Sequence, residues 1–260
     1  QLLTGEERKE LDMVFSFDNL ETPGHVRWDD YEYDLNYYKK YITDWMLNYG
    51  NNCWMSLFYN NHDNPRMVSK ISLDPQYTEA IEKLLVVMQM TLKGTPFVYQ
   101  GDEMGLVNYK FTSMDQVTDV EAKGYYAEYL EKMSEKDAFA KILSGTREHT
   151  RVLLPWNEKL PEYHEGLHQE IRHNITEVYK ELIKLRHLDQ AFVYGEFTVL
   201  NRKKDRFVYK RSLDGREYIV DCNLGKEEKK AYMTDGYECI FTTGSEHDIL
   251  SPYEARIWKK

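Results

Sequence analysis

Long apolar runs are missing from this sequence of 260 residues. The longest one, from Leu84 to Met90, is already interrupted by Gln89, whereas a helix that crosses a bilayer needs about 20 consecutive apolar residues. The mean hydropathy of −0.69 points the same way. We therefore predict no membrane-spanning helix and no membrane among the partners of the protein.

Basic residues are also few for a protein that would bind a polyanion. The chain has 34 lysines and arginines against 44 aspartates and glutamates, which gives a formal net charge of −10. Proteins that bind nucleic acids or anionic membranes instead carry clustered Lys and Arg side chains that neutralise phosphates. The charge balance therefore argues against a nucleic-acid partner.

Cysteine is scarce, and no metal-binding spacing is present. Cys53, Cys222 and Cys239 are odd in number and form no short pairing motif, which is typical of a reducing compartment rather than of a disulfide framework. We therefore expect a cytoplasmic protein. Because the sequence contains no Cys-x-x-Cys and no cluster of His and Cys, we expect no metal site. We also expect no cofactor.

Apolar residues make up 42% of the chain and aromatic residues 14%, which is enough to bury a core and excludes a disordered protein. Strand-like and helix-like segments alternate up to about residue 190. We predict strands over residues 13–17, 54–59 and 97–99, helices over residues 33–49, 77–92 and 169–186, and a polar, largely helical insertion at 115–142. This order favours a parallel sheet with helices outside it.

Beyond residue 190 the pattern changes to short strands. Residues 198–200, 207–209 and 218–220 are rich in β-branched and aromatic side chains, and Asp214-Gly215 has the sequence of a hairpin turn. We therefore predict an α/β unit over residues 1–190, followed by a small antiparallel β-sandwich domain over residues 191–260.

Three polar loops are candidates for chemistry: Tyr59-Asn-Asn-His-Asp-Asn-Pro-Arg66, Gln100-Gly-Asp-Glu103 and Arg147-Glu-His-Thr-Arg151. In barrels of alternating strands and helices, catalytic groups lie at the C-terminal ends of the strands. A carboxylate beside an imidazole, as in His62-Asp63, suits the stabilisation of positive charge on a sugar ring and offers a donor to a sugar hydroxyl.

Each candidate also has a purely structural interpretation. His62 and Asp63 are equally suited to capping their loop. A solvated loop is the better explanation for the carboxylates at positions 102 and 103, and surface charge is the better one for Arg147 and Arg151. The residues alone leave these alternatives open.

Three longer segments follow one another in a distinctive order: Thr4-Gly-Glu-Glu-Arg-Lys-Glu-Leu-Asp-Met-Val-Phe15, Phe58-Tyr-Asn-Asn-His-Asp-Asn-Pro-Arg66 and Gly94-Thr-Pro-Phe-Val-Tyr-Gln-Gly-Asp-Glu-Met-Gly105. The second resembles the Asn-His-Asp motif at the seventh barrel strand of the α-amylase family of glycoside hydrolases (family 13), and the third resembles that family's eighth strand. The first is similar to the helix and strand after the acid/base region in the oligo-1,6-glucosidase branch. The resemblance implies an α/β fold, namely the C-terminal portion of a (β/α)8 TIM barrel over residues 1–190 followed by the antiparallel β domain.

The resemblance also implies roles for individual residues. Asp63 matches the carboxylate that stabilises the oxocarbenium-like transition state, and His62 matches a residue that hydrogen-bonds the glucose being cleaved. Arg147 matches the arginine that grips the non-reducing end in exo-acting glucosidases, and Arg151 would support it.

Two further residues are implied on the leaving-group side. Glu121 matches a glutamate that contacts the leaving-group glucose in α-1,6-specific relatives, and Arg27 occupies the place of a lysine in the same subsite. The family's Arg-Asp-Asn-Ala-Arg-Thr-Pro-Met-Gln-Trp is here Arg147-Glu-His-Thr-Arg-Val-Leu-Leu-Pro-Trp156, with both arginines and the tryptophan kept. The Arg-Leu-Asp-Arg-Asp signature of sucrose isomerases is absent, which argues against that branch.

A retaining member of this family needs a nucleophilic aspartate on the fourth barrel strand and a glutamic acid/base on the fifth. The resemblance starts just after the fifth strand, so we expect both residues upstream of Gln1. It implies the C-terminal part of a retaining exo-α-glucosidase for α-1,6 (isomaltose-type) glucosides, inactive as this segment alone. Its partners would be an oligosaccharide substrate and the missing N-terminal half of the barrel. Two alternatives are a non-catalytic binding or assembly module and a trehalose-phosphate hydrolase of the same family.

Overall fold

A parallel sheet of three short strands organises the first part of the chain. The computed structural model describes residues 3–8, 10–156, 159–232, 235–245 and 248–260. Within them, β1 (Met13–Val14), β2 (Trp54–Leu57) and β3 (Thr95–Pro96) lie side by side in that order, and both pairings are parallel. The predicted parallel sheet is confirmed, and β1 and β3 are its outer strands among the described residues.

Two local predictions near this sheet are wrong. The third strand is not at residues 97–99 but ends at Pro96, a residue that suits an edge strand because it has no N–H to donate. The helix implied after Thr4 does not form in the described part of that segment. Residues 3–8 are turns there, and the Glu6 N–H donates to the Asn52 side chain at 3.0 Å instead of entering a helical turn.

The helices lie close to their predicted positions. They are α1 (Leu35–Tyr49), α2 (Met67–Ile71), α3 (Thr78–Thr91), α4 (Val120–Leu130), α5 (Glu135–Gly145), α6 (His173–Leu188) and α7 (Ala191–Tyr194), with 3-10 turns at Pro75–Tyr77, Met114–Gln116, Arg147–Thr150 and Glu162–His164. The α1 helix begins after Asp34, whose carboxylate accepts the Asn36 N–H at 2.8 Å. The α3 helix is buried along most of its length because α2, α6 and α7 all pack against it. None of the helices in the described ranges is long and apolar enough to cross a bilayer.

The predicted helical insertion after the third strand is confirmed. It consists of α4 and α5, which pack against each other. A small apolar cluster of Trp28, Val117, Ala122 and Ile142 lies between this insertion and the preceding chain. The insertion therefore stands beside the C-terminal ends of the strands with a small core of its own.

The C-terminal part is an antiparallel sheet, as predicted. Its five strands are, in spatial order, β4 (Glu196–Asn201), β5 (Arg206–Leu213), β6 (Arg216–Asn223), β10 (Ala255–Lys259) and β8 (Glu238–Thr242), and β7 (Lys229–Lys230) pairs with β9 (Ile249–Leu250). The predicted hairpin between β5 and β6 is confirmed. Asp214 and Gly215 have φ values of 50° and 80°, as a two-residue type I′ turn requires.

This sheet shares a core with the α/β part. The hydroxyl groups of Thr91 at the end of α3 and Tyr209 in β5 are 2.6 Å apart, and the buried Arg211 donates to the carbonyls of Thr91 and Phe192. A single apolar cluster extends from Leu20 to Ile257. The boundary at residue 190 and the sandwich arrangement stay predictions.

Candidate active site

The loop that follows β2 presents His62 and Asp63. Its shape is fixed from within, because the Asn60 side chain accepts the Met67 N–H at 2.7 Å and the Asn61 side chain accepts the Asp63 N–H at 2.7 Å. His62 Nε2 lies 3.2 Å from Asp63 Oδ2, and the two side chains are 71% and 42% exposed. An imidazole and a carboxylate are thus held together at the mouth of the loop.

Two arginines from the Arg147–Thr150 turn and its cap converge on this carboxylate. Nη1 of Arg147 and Nη2 of Arg151 each lie 3.0 Å from Asp63 Oδ1. Arg151 Nε also donates to the His62 carbonyl at 2.9 Å. Both arginines interpreted above as surface charge are therefore engaged with Asp63.

A third arginine joins the loop to the helical insertion. Arg27 Nη1 donates to the Asp63 carbonyl at 2.5 Å, and its Nη2 donates to Glu121 Oε2 at 2.5 Å. The structure thus brings together all six residues proposed from the sequence, which are Arg27, His62, Asp63, Glu121, Arg147 and Arg151. The individual roles of these residues stay predictions.

The charges around Asp63 determine its protonation state. Partial burial raises the pKa of Asp63, but the hydrogen bond from Arg147 and the charges of His62, Arg147 and Arg151 outweigh it, so the pKa lies below its usual value. Asp63 is therefore ionised at neutral pH. A carboxylate that is charged at neutral pH suits the stabilisation of a cation and does not suit proton donation.

Asp119 is a site residue that the sequence reasoning missed. It caps α4, because its Oδ2 accepts the Ala122 N–H at 3.1 Å, while its Oδ1 accepts Arg147 Nε at 2.9 Å. Its side chain is only 3% exposed, and its hydrogen bond is the first cause of the raised pKa of Arg147. The available signal was an Asp, a residue typical of N-caps, two positions before Glu121 inside the predicted helical insertion.

Glu148 is the second residue that was missed. Its buried carboxylate accepts the backbone N–H groups of Thr118 and Asp119, both at 2.9 Å, and the Thr118 hydroxyl at 2.8 Å. His164 Nε2 lies 3.1 Å from it. Glu148 therefore ties the turn that carries Arg147 to the start of α4.

The interpretation of the second polar loop as solvated is wrong for Asp102. Its carboxylate is buried rather than solvated, 2.7 Å from Arg66 Nη1 and 2.9 Å from Asn60 Nδ2. Burial raises the pKa of Asp102 to about 6, against the lowering effect of Arg66. The Glu103 carboxylate accepts the Gly101 N–H at 2.9 Å. Both carboxylates fix the loop after β3, and neither reaches the Asp63 cluster through a direct hydrogen bond among the described residues.

Gly101 shows how closely these loops are packed. Its φ of 93° lies in the left-handed region, and a Cβ at this position would stand 2.7 Å from Arg66 Nη2.

No group of three or more His, Cys, Asp or Glu in the described ranges is arranged to hold a metal ion.

Comparison with known proteins identifies the family. The model of the α-amylase catalytic domain matches residues 1–195 of the chain. The chain belongs to the α-amylase family. The predicted family is therefore confirmed, and so is the predicted fold class, the C-terminal portion of a (β/α)8 barrel followed by an antiparallel sheet.

Individual relatives of this α-amylase-family chain agree with that assignment. It is 33% identical over 245 residues to an oligo-1,6-glucosidase of Halalkalibacterium halodurans, covering 86% of this chain and 44% of that protein. It is 30% identical to the oligo-1,6-glucosidase of Bacillus cereus, covering 100% of this chain and 52% of the relative. The chain thus spans about half the length of these curated relatives.

Solved structures show the same fold. The trehalulose synthase MutB from Pseudomonas mesoacidophila superposes with a TM-score of 0.82 at 28% identity, over 98% of this chain and 52% of that one. A trehalose-6-phosphate hydrolase from Bacillus licheniformis superposes with a TM-score of 0.84 at 24% identity, over 99% of this chain and 53% of that one. The second likeness concerns the fold alone.

Proposed function

We propose that this chain forms the C-terminal part of a retaining exo-α-glucosidase that acts on α-1,6-linked, isomaltose-type glucosides. The observation that carries the proposal is an ionised Asp63 held by Arg147 and Arg151 at the C-terminal end of a barrel strand. In barrel enzymes of this kind, that end of the strands carries the active site. The names of the relatives, oligo-1,6-glucosidase and glucan 1,6-alpha-glucosidase, support the linkage.

Asp63 acts on charge rather than on protons in this proposal. Cleavage of a glycosidic bond builds positive charge on the sugar ring, and a fixed carboxylate lowers the energy of that state. The exposed His62 ring offers a hydrogen bond to a hydroxyl of the same sugar, and the fork of Arg147 binds the hydroxyls at its non-reducing end while Arg151 supports it. Arg27 and Glu121 bind the glucose that leaves.

The nucleophile and the acid/base belong, in this proposal, to barrel strands outside the chain. The chain spans about half the length of its relatives, and its described residues form three strands of an eight-stranded barrel type. Asp63 therefore needs the N-terminal half of the barrel as a partner. The exposed Phe15 and Phe17 rings beside β1 support such a partner, because apolar side chains inside a barrel are normally covered.

A cytoplasmic location is a second part of the proposal. The buried Cys53 and Cys222 are free thiols, which fits a reducing compartment. Fractionation of the source cells, followed by detection of the chain, tests this location. Recovery outside the cytoplasm contradicts it.

The test of function is Asp63→Asn in the full-length protein. We expect the kcat for isomaltose and p-nitrophenyl α-glucoside to fall by about 10³-fold or more, because the amide cannot offset the ring charge. Asp44→Asn, an exposed change on α1, is the matched control, and the isolated chain of 260 residues is the inactive reference. Turnover of Asp63→Asn close to that of the wild type contradicts the assignment. Turnover of trehalose 6-phosphate instead of both glucosides favours the phosphate-specific alternative.

A further inference from the structure

Glu121 of the candidate site and two tyrosines form a row along one side of α4. Glu121, Tyr125 and Tyr129 are spaced four residues apart, so they follow one another along one side of the helix. The rings of Tyr125 and Tyr129 have centroids 6.1 Å apart and planes inclined by 21°. At the rise of a helix, the row extends about 12 Å from Glu121.

This row is continuous with the candidate active site. The Glu121 carboxylate accepts a hydrogen bond from Arg27. The guanidinium carbon of Arg27 lies 4.7 Å from the centre of the Trp28 ring. The Trp28 ring in turn lies 5.1 Å from Tyr125, centroid to centroid. A ligand held by Glu121 and Arg27 therefore reaches the tyrosines next as it extends away from Asp63.

The surface combines aromatic faces with a cation. Lys141 of α5 donates to the Trp28 carbonyl at 3.3 Å, and its Nζ lies 5.9 Å from the centre of the Tyr129 ring. Both tyrosines are partly exposed. A pyranose ring has an apolar C–H face and a rim of hydroxyls, so an aromatic plane bordered by hydrogen-bond donors matches it on both counts.

We propose that Tyr125, Tyr129 and Lys141 form a binding subsite for the second and third glucosyl units on the leaving-group side of an α-1,6-linked oligosaccharide. The inference rests on the proposed function, because that function assigns the first leaving-group unit to Glu121 and Arg27. It assigns the glucosyl units beyond the first leaving-group unit to named residues of α4 and α5.

The competing explanation is packing alone. Tyr125, Tyr126 and Tyr129 all contact the small cluster around Trp28 and Ala122. Tyr126, however, is rotated by about 140° from Glu121 around the helix and lies beside Glu135 of α5. Tyr126 therefore shares the residue type, the helix and the packing cluster of Tyr125, but not its place in the row.

The experiment compares substrate lengths in the full-length enzyme. We expect Tyr125→Ala to lower the ratio of kcat/KM for isomaltotetraose to kcat/KM for isomaltose about tenfold, mainly through KM, because ring stacking is lost only for the longer sugar. Tyr129→Ala should lower the same ratio, and Tyr125→Phe, which keeps the ring, should restore it. Tyr126→Ala should leave the ratio at its wild-type value. The ratio does not depend on how much of each variant is folded.

Two results with the variants overturn the subsite, and one with the wild type does so as well. One is an equal loss for both substrates in Tyr125→Ala, and the other is a drop in the ratio for Tyr126→Ala as large as that for Tyr125→Ala. A wild-type enzyme that hydrolyses isomaltose but not isomaltotetraose also overturns it. A wild-type enzyme that hydrolyses neither sugar nor p-nitrophenyl α-glucoside overturns the proposed function itself, so the two failures are distinguishable.

Discussion

Arg147 joins two carboxylates of very different exposure. Asp119, 3% exposed, binds its Nε and Nη2 at 2.9 Å, which leaves Nη1 directed at Asp63, 42% exposed. A guanidinium is planar, so fixing one edge fixes the direction of the other. The buried carboxylate therefore sets the orientation of the group that meets the exposed one.

The change Asp119→Asn tests this arrangement. The carboxylate uses one oxygen for the Ala122 N–H and the other for Arg147, so the NH2 group of the amide deprives one of these donors of its acceptor, and the charge that holds the guanidinium is removed. We expect the kcat/KM for isomaltose to fall by about 10- to 100-fold, since a hydrogen bond to a charged group contributes about 1.5–3 kcal/mol. Asn is a good N-cap, so α4 still begins at this position, and the midpoint of urea unfolding, measured in parallel, separates lost stability from lost activity.

The matched control for this change is Asp137→Asn, in the exposed first turn of α5. It should leave kcat/KM within a factor of two of the wild type. Wild-type kcat/KM in Asp119→Asn, or an equal loss in both variants, contradicts a positioning role for Asp119.

At the scale of elements, periodicity predicted the helices well and the ends of the strands poorly. α1 and α3 lie within two residues of their predicted bounds, because their buried faces impose the helical period on the sequence. β3 was misplaced because its two paired residues carry little strand signal, and one of them is Pro96. Short parallel strands owe their position to neighbours far away in the chain, which local patterns do not record.

The residues of the candidate site also divide into those that the sequence could suggest and those that it could not. The residues of the polar loops, among them Asp63 and Arg147, could be proposed from the sequence because they stand in motifs. Asp119 offered only an N-cap signal and Glu148 offered none, because the contacts that give them their roles join segments about 30 positions apart in the chain. A buried carboxylate is recognisable as such only after the chain has folded around it.

The Arg147–Thr150 turn contains a buried histidine that makes it sensitive to pH. His149 Nδ1 accepts the Tyr109 N–H at 3.0 Å, so its Nε2–H donates to the Leu143 carbonyl at 2.9 Å. Burial lowers the pKa of His149 to about 4, against the raising effect of the Leu143 carbonyl. The neutral ring is therefore the form that the folded turn accommodates.

Acid should destabilise this turn in a defined window. Above pH 6.5 the ring is neutral in both states, but below it the unfolded chain binds a proton that the folded ring binds only near pH 4. Stability is therefore lost as the pH falls from 6.5 to 4, by about 3 kcal/mol from this group. Urea unfolding across this range should show a shallower pH dependence in His149→Gln than in the wild type.

The control is His187→Gln, a change at an exposed position of α6. Its pH dependence should match that of the wild type. If His149→Gln and the wild type lose the same free energy of unfolding between pH 6.5 and 4, the buried ring does not titrate in this way.

At the scale of the whole molecule, the aromatic side chains beside the three-stranded sheet are covered unevenly. The helices and the C-terminal sheet share one continuous core. Phe15 and Phe17 form an aromatic face at the margin of this core. Phe15 packs against Phe58 and Phe97, with ring centroids 5.2 and 4.7 Å apart, but remains 50% exposed. Phe17 contacts Phe58 at 5.7 Å and is 57% exposed. Open strand edges beside exposed aromatic rings favour association with another chain.

We therefore expect the isolated chain of 31.1 kDa to self-associate through this face, and light scattering across a concentration series should show a mass that rises with concentration. Phe17→Glu places a charge among the exposed rings and should move the association to at least tenfold higher concentration.

Leu188→Glu is the matched control, since Leu188 on α6 is 71% exposed and lies outside this face. A constant monomer mass for the wild type, or an equal effect of both variants, would mean that the rings do not form the contact. Concentration-dependent association lost only in Phe17→Glu would locate the contact at this aromatic face, where the proposal places the other half of the barrel.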